Sequence, residues 1–164
     1  MYLLVIGGNS DIGFEIAKEF YKKGFNLYLT KRPNTNLEKE LKNLKDSSER
    51  IIIKDFDLSD FNSHQDFYTS LNPKPDVILC AAGLLRNNEE LIDDFEETKK
   101  IISTNYTAYV SLLNIIGKDF QKRNLGTIIG ISSVAGDRGR ASNYIYGSTK
   151  SAFSTFLSGM RNSM

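Results

Sequence analysis

Ser133, Tyr146 and Lys150 are the residues of this chain whose types and spacing could do chemistry. They lie in the stretches ISSVAG (131–136) and YGSTK (146–150). The Tyr-x-x-x-Lys spacing sets a phenol and an ammonium one helical turn apart on one face. The ammonium favours the phenolate, so a group that ordinarily titrates near pH ~10 can exchange a proton closer to neutrality. Ser133 lies thirteen positions before the tyrosine, at the end of the β-like run GTIIGISS (126–133). Its hydroxyl can hold the oxygen of a carbonyl. A carbonyl that gains a proton must also gain a hydride, so this trio calls for a hydride donor held by another part of the chain.

Such a trio needs a scaffold that brings strand ends together. Short apolar runs at 2–7, 25–30, 50–56, 76–82 and 127–133 alternate with helix-period segments at 12–24, 36–45, 60–71 and 96–122, and a last helix starts near Asn143. The runs are nearly continuous in apolar residues, as in strands covered on both faces. The alternation predicts βαβ units, right-handed crossovers and a parallel sheet. In 12–24 the apolar residues follow a helical period, and Gly24 is placed to cap its end. In 96–122, Ile101, Ile102, Asn105, Ala108, Tyr109, Leu112, Leu113 and Ile116 fall on or near one side.

The first run leads straight into Gly7-Gly8-Asn9-Ser10-Asp11-Ile12-Gly13 and then a helix. A glycine-rich turn there lets backbone amides approach a pyrophosphate at the helix N-terminus. Asp11 stands where a glycine is usual, and either it or Ser10 is placed to cap the helix. The second run ends in Thr30-Lys31-Arg32, and no acid occurs between Glu19 and Glu38. A carboxylate in that region would bind the ribose 2′-hydroxyl of NAD. Two cations suit a 2′-phosphate instead, and therefore NADP (NADPH) over NAD; solvation of a loop is the other reading of the pair. Asp57-Leu58, after the third run, faces an adenine or else opens a helix.

Composition narrows the classes. The chain has 164 residues, long enough to bury a core, and reads as a single domain over 1–164. A net charge of +1 gives no global field to recruit nucleic acid or an anionic membrane. Acidic blocks such as EELIDDFEE (89–97) read as solvated faces. One cysteine, Cys80, excludes an internal disulfide, reads as a buried structural thiol and suits a reducing, cytoplasmic setting. His64 sits in the polar helix start SDFNSHQDF (59–67), and one His with one Cys assembles no zinc cluster. No run approaches the ~20 apolar residues of a membrane span.

Together these pieces resemble the short-chain dehydrogenase/reductase family. Its glycine turn is matched by Gly7 to Gly13 with Asp11 in place of the middle glycine. Its Asn-Asn-Ala-Gly motif is matched loosely by Cys80-Ala81-Ala82-Gly83, without the two polar supports. Its active-site tetrad is matched by Asn105, Ser133, Tyr146 and Lys150. The resemblance implies a Rossmann-type, doubly wound α/β fold with helices on both faces. It also implies that Ala81, Ala82, Gly83, Tyr146 and Lys150 join Gly7, Asn9, Ser10, Asp11, Ile12, Gly13, Lys31, Arg32, Asp57 and Leu58 in holding the cofactor. Within the family, GGNSDIG (7–13), AAGLLRNNEEL (81–91), NYTAYVSL (105–112) and ISSVAGDRGRASNYIYGSTK (131–150) together resemble the reductase component of decaprenylphosphoryl-ribose 2′-epimerase. That subfamily reduces a lipid-linked keto-pentose, and related reductases serve cell-envelope polysaccharide pathways.

By the resemblance, Tyr146 protonates the nascent alkoxide and Lys150 lowers its pKa and holds the nicotinamide ribose. Ser133 holds the carbonyl oxygen, and Asn105 anchors a water in the relay. Arg138 and Arg140, in the loop after Ser133, either clamp a substrate phosphate or are simply solvated. Family members continue into further strands and a substrate lid, so the chain is expected to be a C-terminally incomplete form of the domain. Three readings stay open at this level: a keto-sugar reductase or part of one, an NAD(P)-binding module or non-catalytic subunit acting as a sensor, and a structural partner in an envelope-biosynthesis complex. Family members often pair through the two long helices, which points to a homodimer or homotetramer. Phe153, Phe156 and Leu157 either serve that contact or pack on the chain's own sheet.

Overall fold

The structure, a computed structural model, describes residues 1–37, 41 and 49–164. Five strands, β1 (Tyr2–Ile6), β2 (Asn26–Lys31), β3 (Ile51–Asp55), β4 (Val77–Cys80) and β5 (Thr127–Gly130), form one sheet in the order β3-β2-β1-β4-β5. Every pairing is parallel, with Leu3 beside Leu27 and Val77, and Ile6 beside Cys80, itself beside Gly130. All five strands therefore end on one edge, and the loops that leave them meet there. This is the Rossmann-type doubly wound α/β arrangement expected from the alternation of runs and helices.

Side chains alternate across the sheet and divide the core in two. Leu3, Val5, Leu27, Leu29 and Leu79 face α1 (Asp11–Lys22) through Phe14 and Ala17. Leu4, Ile6, Tyr28, Ile78 and Cys80 face α2 (His64–Ser70), preceded by a 3-10 turn at Phe61–Ser63, together with the two long helices of the C-terminal half. β1 and β4, central in the sheet, are buried almost throughout, whereas the outer strands β3 and β5 are more open. That gradient is why the inner runs are apolar without alternation.

A short helix α3 (Asn88–Leu91) and α4 (Phe95–Ile102) follow β4. Asp94 caps α4 by accepting from the Glu97 amide at 3.0 Å. The expected single helix over 96–122 is interrupted: α4 passes through a π turn at Ser103–Thr107 into α5 (Ala108–Arg123). α5 stops where Asn124 turns left-handed, φ 52°. α6 (Tyr144–Ser163) starts next to Asn143, close to where the sequence placed it. Phe153 is buried and stacks on Tyr109 at 5.0 Å, while Phe156 and Leu157 pack at the margin of the same core. The helix expected over 36–45 falls mostly outside the described residues. Among them, no helix is long and apolar enough to cross a membrane.

His64 corrects a sequence expectation. Its neighbours in the chain are polar, yet it is fully buried. Its Nε2 donates to the Leu58 carbonyl at 3.0 Å, and its Nδ1 accepts from the Ser111 hydroxyl at 2.9 Å. A carbonyl can only accept, which assigns the ring proton to Nε2.

Candidate active site at the carboxyl edge of the sheet

The turn after β1 is shaped by contact. Gly7 has φ +96°, and a Cβ on it would lie 2.6 Å from the Ala82 amide nitrogen, so only glycine fits. The Gly7 amide donates to the Thr30 hydroxyl at 2.9 Å, and the Gly8 amide to the Thr30 carbonyl at 2.7 Å. Of the two residues read as possible caps of α1, Ser10 takes the role: its hydroxyl accepts from the Gly13 amide at 3.2 Å. Asp11 is the first residue of the helix and is exposed. The first-turn amides of Asp11 and Ile12 precede any intrahelical acceptor, so they remain available to an anion.

The loosely matched Cys80-Ala81-Ala82-Gly83 is supported by other means. The Ala81 and Ala82 amides both donate to the Ile6 carbonyl, at 2.9 and 2.8 Å, and the Ala82 carbonyl accepts from the Tyr109 hydroxyl at 2.8 Å. A core tyrosine and the backbone of β1 thus stand in for the missing polar side chains. Cys80 is buried, and burial pushes its thiol pKa up, which keeps it an inert thiol.

One cleft of about 670 Å³ runs along this edge. Gly7, Asn9, Ser10, Asp11, Lys31, Arg32, Asp57, Leu58, Ala81, Ala82 and Gly83 all line it. Its size and position suit a dinucleotide cofactor, and the close approach of Gly7 to Ala82 leaves backbone, not side chain, facing it. Thr30, which precedes the two cations of β2, also lines it, as do Thr35, Ser59, Lys100 and Thr104; these last four belong to no spaced motif and carry no signal in the sequence. Asp57 neither opens α2 nor stands free: its Oδ1 accepts from the Ser59 amide at 2.8 Å. Lys31, the last residue of β2, forms an ion pair with Asp55 of β3, and Arg32 lies exposed beyond the strand.

Four residues read as cofactor ligands do not line this cleft. Ile12 is exposed, and Gly13 is buried under the cap of Ser10. Tyr146 and Lys150 stand beyond its Gly83 end, on α6. A Cβ placed on Gly83 would lie 3.3 Å from Asn105 Oδ1 and 3.7 Å from Lys150 Nζ, so both groups face one point at the mouth of the cleft.

Asn105 is fully buried in the π turn. Its Oδ1 accepts from the Leu84 amide at 2.7 Å, and its Nδ2 donates to the Leu84 carbonyl at 2.8 Å and to Thr149 Oγ1 at 3.3 Å. Both amide hydrogens are therefore committed to protein. Lys150 Nζ donates to the Ile131 carbonyl at 2.9 Å and lies 5.8 Å from the centre of the Tyr146 ring. Burial holds the Lys150 pKa below the ordinary lysine value. Tyr146 is half-buried, and its hydroxyl makes no hydrogen bond among the described residues.

Ser133 opens a 3-10 turn at Val134–Gly136 and caps it, accepting from the Ala135 amide at 3.1 Å. That turn lies directly on α6: a Cβ on Gly147 would come within 2.4 Å of the Ala135 carbonyl oxygen. Gly147, next to Tyr146, is thus what lets the serine turn rest against the helix that carries the phenol. Asn105, Ser133, Tyr146 and Lys150 are brought to one end of the sheet by α6, the π turn and the loop after β5. Arg138 and Arg140 are exposed.

A family model for short chain dehydrogenases matches residues 2–164. The chain belongs to the short-chain dehydrogenase family. Among its relatives are an uncharacterized oxidoreductase of Streptomyces coelicolor, 31% identical over 168 residues, covering 99% of this chain and 66% of the relative, and an NADP-dependent 3-hydroxy acid dehydrogenase of Schizosaccharomyces pombe, 31% identical, covering 97% and 64%. The crystal structure of serine dehydrogenase from Escherichia coli superposes with a TM-score of 0.85 at 25% identity, covering 99% of this chain and 76% of that one. This short-chain dehydrogenase chain spans about two thirds of the length of the curated relatives it matches.

Proposed function

We propose that this chain carries the cofactor cleft and the acid–base groups of an NADPH-dependent carbonyl reductase. The observation that carries this is the cleft along the carboxyl edge, which runs from the glycine turn and the β2 cations to Gly83, next to which Asn105 and Lys150 converge. NADP is favoured by Lys31 and Arg32, with no acid between Glu19 and Glu38, and the fission-yeast relative is NADP-dependent. The substrate class follows from the motif likeness at 81–91, 105–112 and 131–150: a ketone on a sugar-like, lipid- or phosphate-linked molecule. A homodimer or homotetramer built on α4–α5 and α6 belongs to the same reading.

When bound, the nicotinamide supplies a hydride. The chain's own groups do the rest. Ser133 Oγ accepts from Ala135 and keeps its own proton to donate to a carbonyl oxygen. The Tyr146 hydroxyl delivers a proton to that oxygen as it becomes an alkoxide. Lys150, anchored on the Ile131 carbonyl, favours the phenolate that results and so lowers the barrier to proton transfer. Buried Asn105 fixes Leu84 and the Gly83 end of the cleft.

The test is NADPH oxidation against a panel of keto-sugars. Tyr146→Phe is expected to lower kcat by roughly 10²–10⁴ with little change in NADPH affinity. A Tyr146→Phe variant as active as the wild type would exclude the acid role. Tight NADPH binding without turnover of any carbonyl would favour the alternative, a nucleotide-binding module without catalysis.

A further inference from the structure

We propose that Asn88 is a positioning residue for Tyr146: it clamps the start of α6 from outside the helix and so fixes where the phenol stands. The proposal rests on the reading of Tyr146 as proton donor. Asn88 lies on the four-residue helix α3 and is 5% exposed. Its Nδ2 donates to the Ala141 carbonyl at 2.7 Å, its backbone amide donates to the Ser142 carbonyl at 2.9 Å, and its Oδ1 accepts from the Ile145 amide at 3.3 Å. One buried side chain and its own backbone thus hold the five residues that lead into Tyr146.

The third of these bonds acts as a helix cap supplied from a distance. α6 begins at Tyr144, so the Ile145 amide belongs to the first turn, which has no intrahelical acceptor. The residue in the capping position, Asn143, makes no side-chain cap bond, and its own buried Oδ1 has no partner among the described residues. Asn88, 57 residues earlier in the chain, does what a local Ser, Asp or Asn ordinarily does.

The clamp is itself held. The Leu91 carbonyl at the end of α3 accepts from the buried Thr98 hydroxyl of α4 at 3.1 Å, and Leu91 is 1% exposed. At the other end, Leu84 is bonded twice by Asn105. Residues 84–91 therefore bridge the helix system that carries Asn105 to the helix that carries Tyr146 and Lys150. Only an amide of this length meets both partners. Aspartate keeps the acceptor for Ile145 but sets a carboxylate against the Ala141 carbonyl, and alanine leaves both Ile145 N–H and Ala141 C=O unpaired. Displacing a reacting group by ~1 Å costs on the order of 10² in rate, and Asn88 does not line the cofactor cleft. Loss of the clamp is therefore a defect of kcat.

The experiment compares wild type, Asn88→Ala and Asn88→Asp by steady-state carbonyl reduction, NADPH titration and amide hydrogen exchange of the 141–150 segment. In Asn88→Ala, kcat falls at least tenfold, the NADPH Kd stays within twofold, and amides 144–147 exchange at least tenfold faster. Asn88→Asp, which retains the cap, falls between wild type and Asn88→Ala in both kcat and exchange, and it replaces Asn88→Ala should that variant not fold. An unchanged kcat overturns the proposal, as does a loss of NADPH affinity that matches the loss of kcat. Should the wild type reduce no carbonyl, the reading of Tyr146 has failed on its own account; the exchange arm still decides the clamp, and unaltered exchange at 144–147 overturns it.

Discussion

Lys31 and Arg32 are adjacent in the chain but not equivalent in space. Lys31 ends β2 with its ammonium paired to Asp55, and only 19% of its side chain is exposed. Arg32 lies past the strand, exposed, with a planar fork that matches a phosphate. A 2′-phosphate must compete with Asp55 for Lys31. Arg32 is therefore expected to dominate cofactor choice: Arg32→Ala raises the NADPH Kd about tenfold or more, in keeping with ~1.5–3 kcal/mol for a charged hydrogen bond, and leaves NADH binding unchanged. Lys31→Ala has the smaller effect. Fluorescence titration with both cofactors checks this, and equal losses for NADPH and NADH would remove the 2′-phosphate from the reading.

The loop between β3 and α2 shows how elements carry the site. Asp57 and Leu58 line the cleft, and buried His64 holds the Leu58 carbonyl while accepting from Ser111 on α5. The loop is thus tied to α5, which follows directly on the π turn of Asn105. His64→Ala leaves the Leu58 carbonyl and the Ser111 hydroxyl without partners and opens a void beside Phe56 and Phe61, whose rings lie 5.6 and 5.5 Å from the imidazole. A loss of about 2–3 kcal/mol is expected, with weaker NADPH binding; Ser111→Ala costs about 1 kcal/mol. Urea unfolding measures both, and a His64→Ala loss below that of Ser111→Ala would mean that the loop holds itself. The sequence foretold the strands: burial on both faces leaves continuous apolar runs at β1 and β4, and the more open β3 and β5 still carry short apolar runs. It singled out Asn105, Ser133, Tyr146 and Lys150, which the fold places at one end of the sheet, because a spaced motif is local. It did not foretell the burial of His64, whose partners are distant in the chain and whose neighbours are polar. Nor did it show the break at Ser103–Thr107, since helical periodicity passes through a π turn with little disturbance, or Asn88, whose helix is too short to have a period.

For the whole molecule, the buried titratable groups set an alkaline limit. Burial raises the pKa values of Cys80, Tyr109, Tyr68 and Tyr28 in the folded chain, with the Asp119 carboxylate adding to the effect at Tyr68. Above the ordinary values of 9.0 for the thiol and 10.0 for the phenols, the unfolded chain releases protons that the folded chain keeps. Stability then falls as pH rises. Lys150 and Lys74 act in the opposite sense: burial lowers their folded pKa values, so stability rises between the lowered value and the ordinary 10.5. That gain is already fading at 10.5, where the lysines of the unfolded chain are half deprotonated, whereas the thiol and phenol losses are then steeper and continue beyond it. The thermal midpoint is therefore expected to fall above pH 10.5, whatever the balance below, and a scan from pH 7 to 11 tests it. Tyr109→Phe should flatten the alkaline fall, because the unfolded chain then has one phenol fewer to ionise. Its midpoint at neutral pH should also drop, because the Ala82 carbonyl on the cleft wall loses its 2.8 Å donor. Lys150→Met should abolish part of the rise up to and around 10.5, with an effect on the slope that fades above it. A midpoint that climbs past pH 10.5 would mean that the buried core does not hold its thiol and phenols protonated.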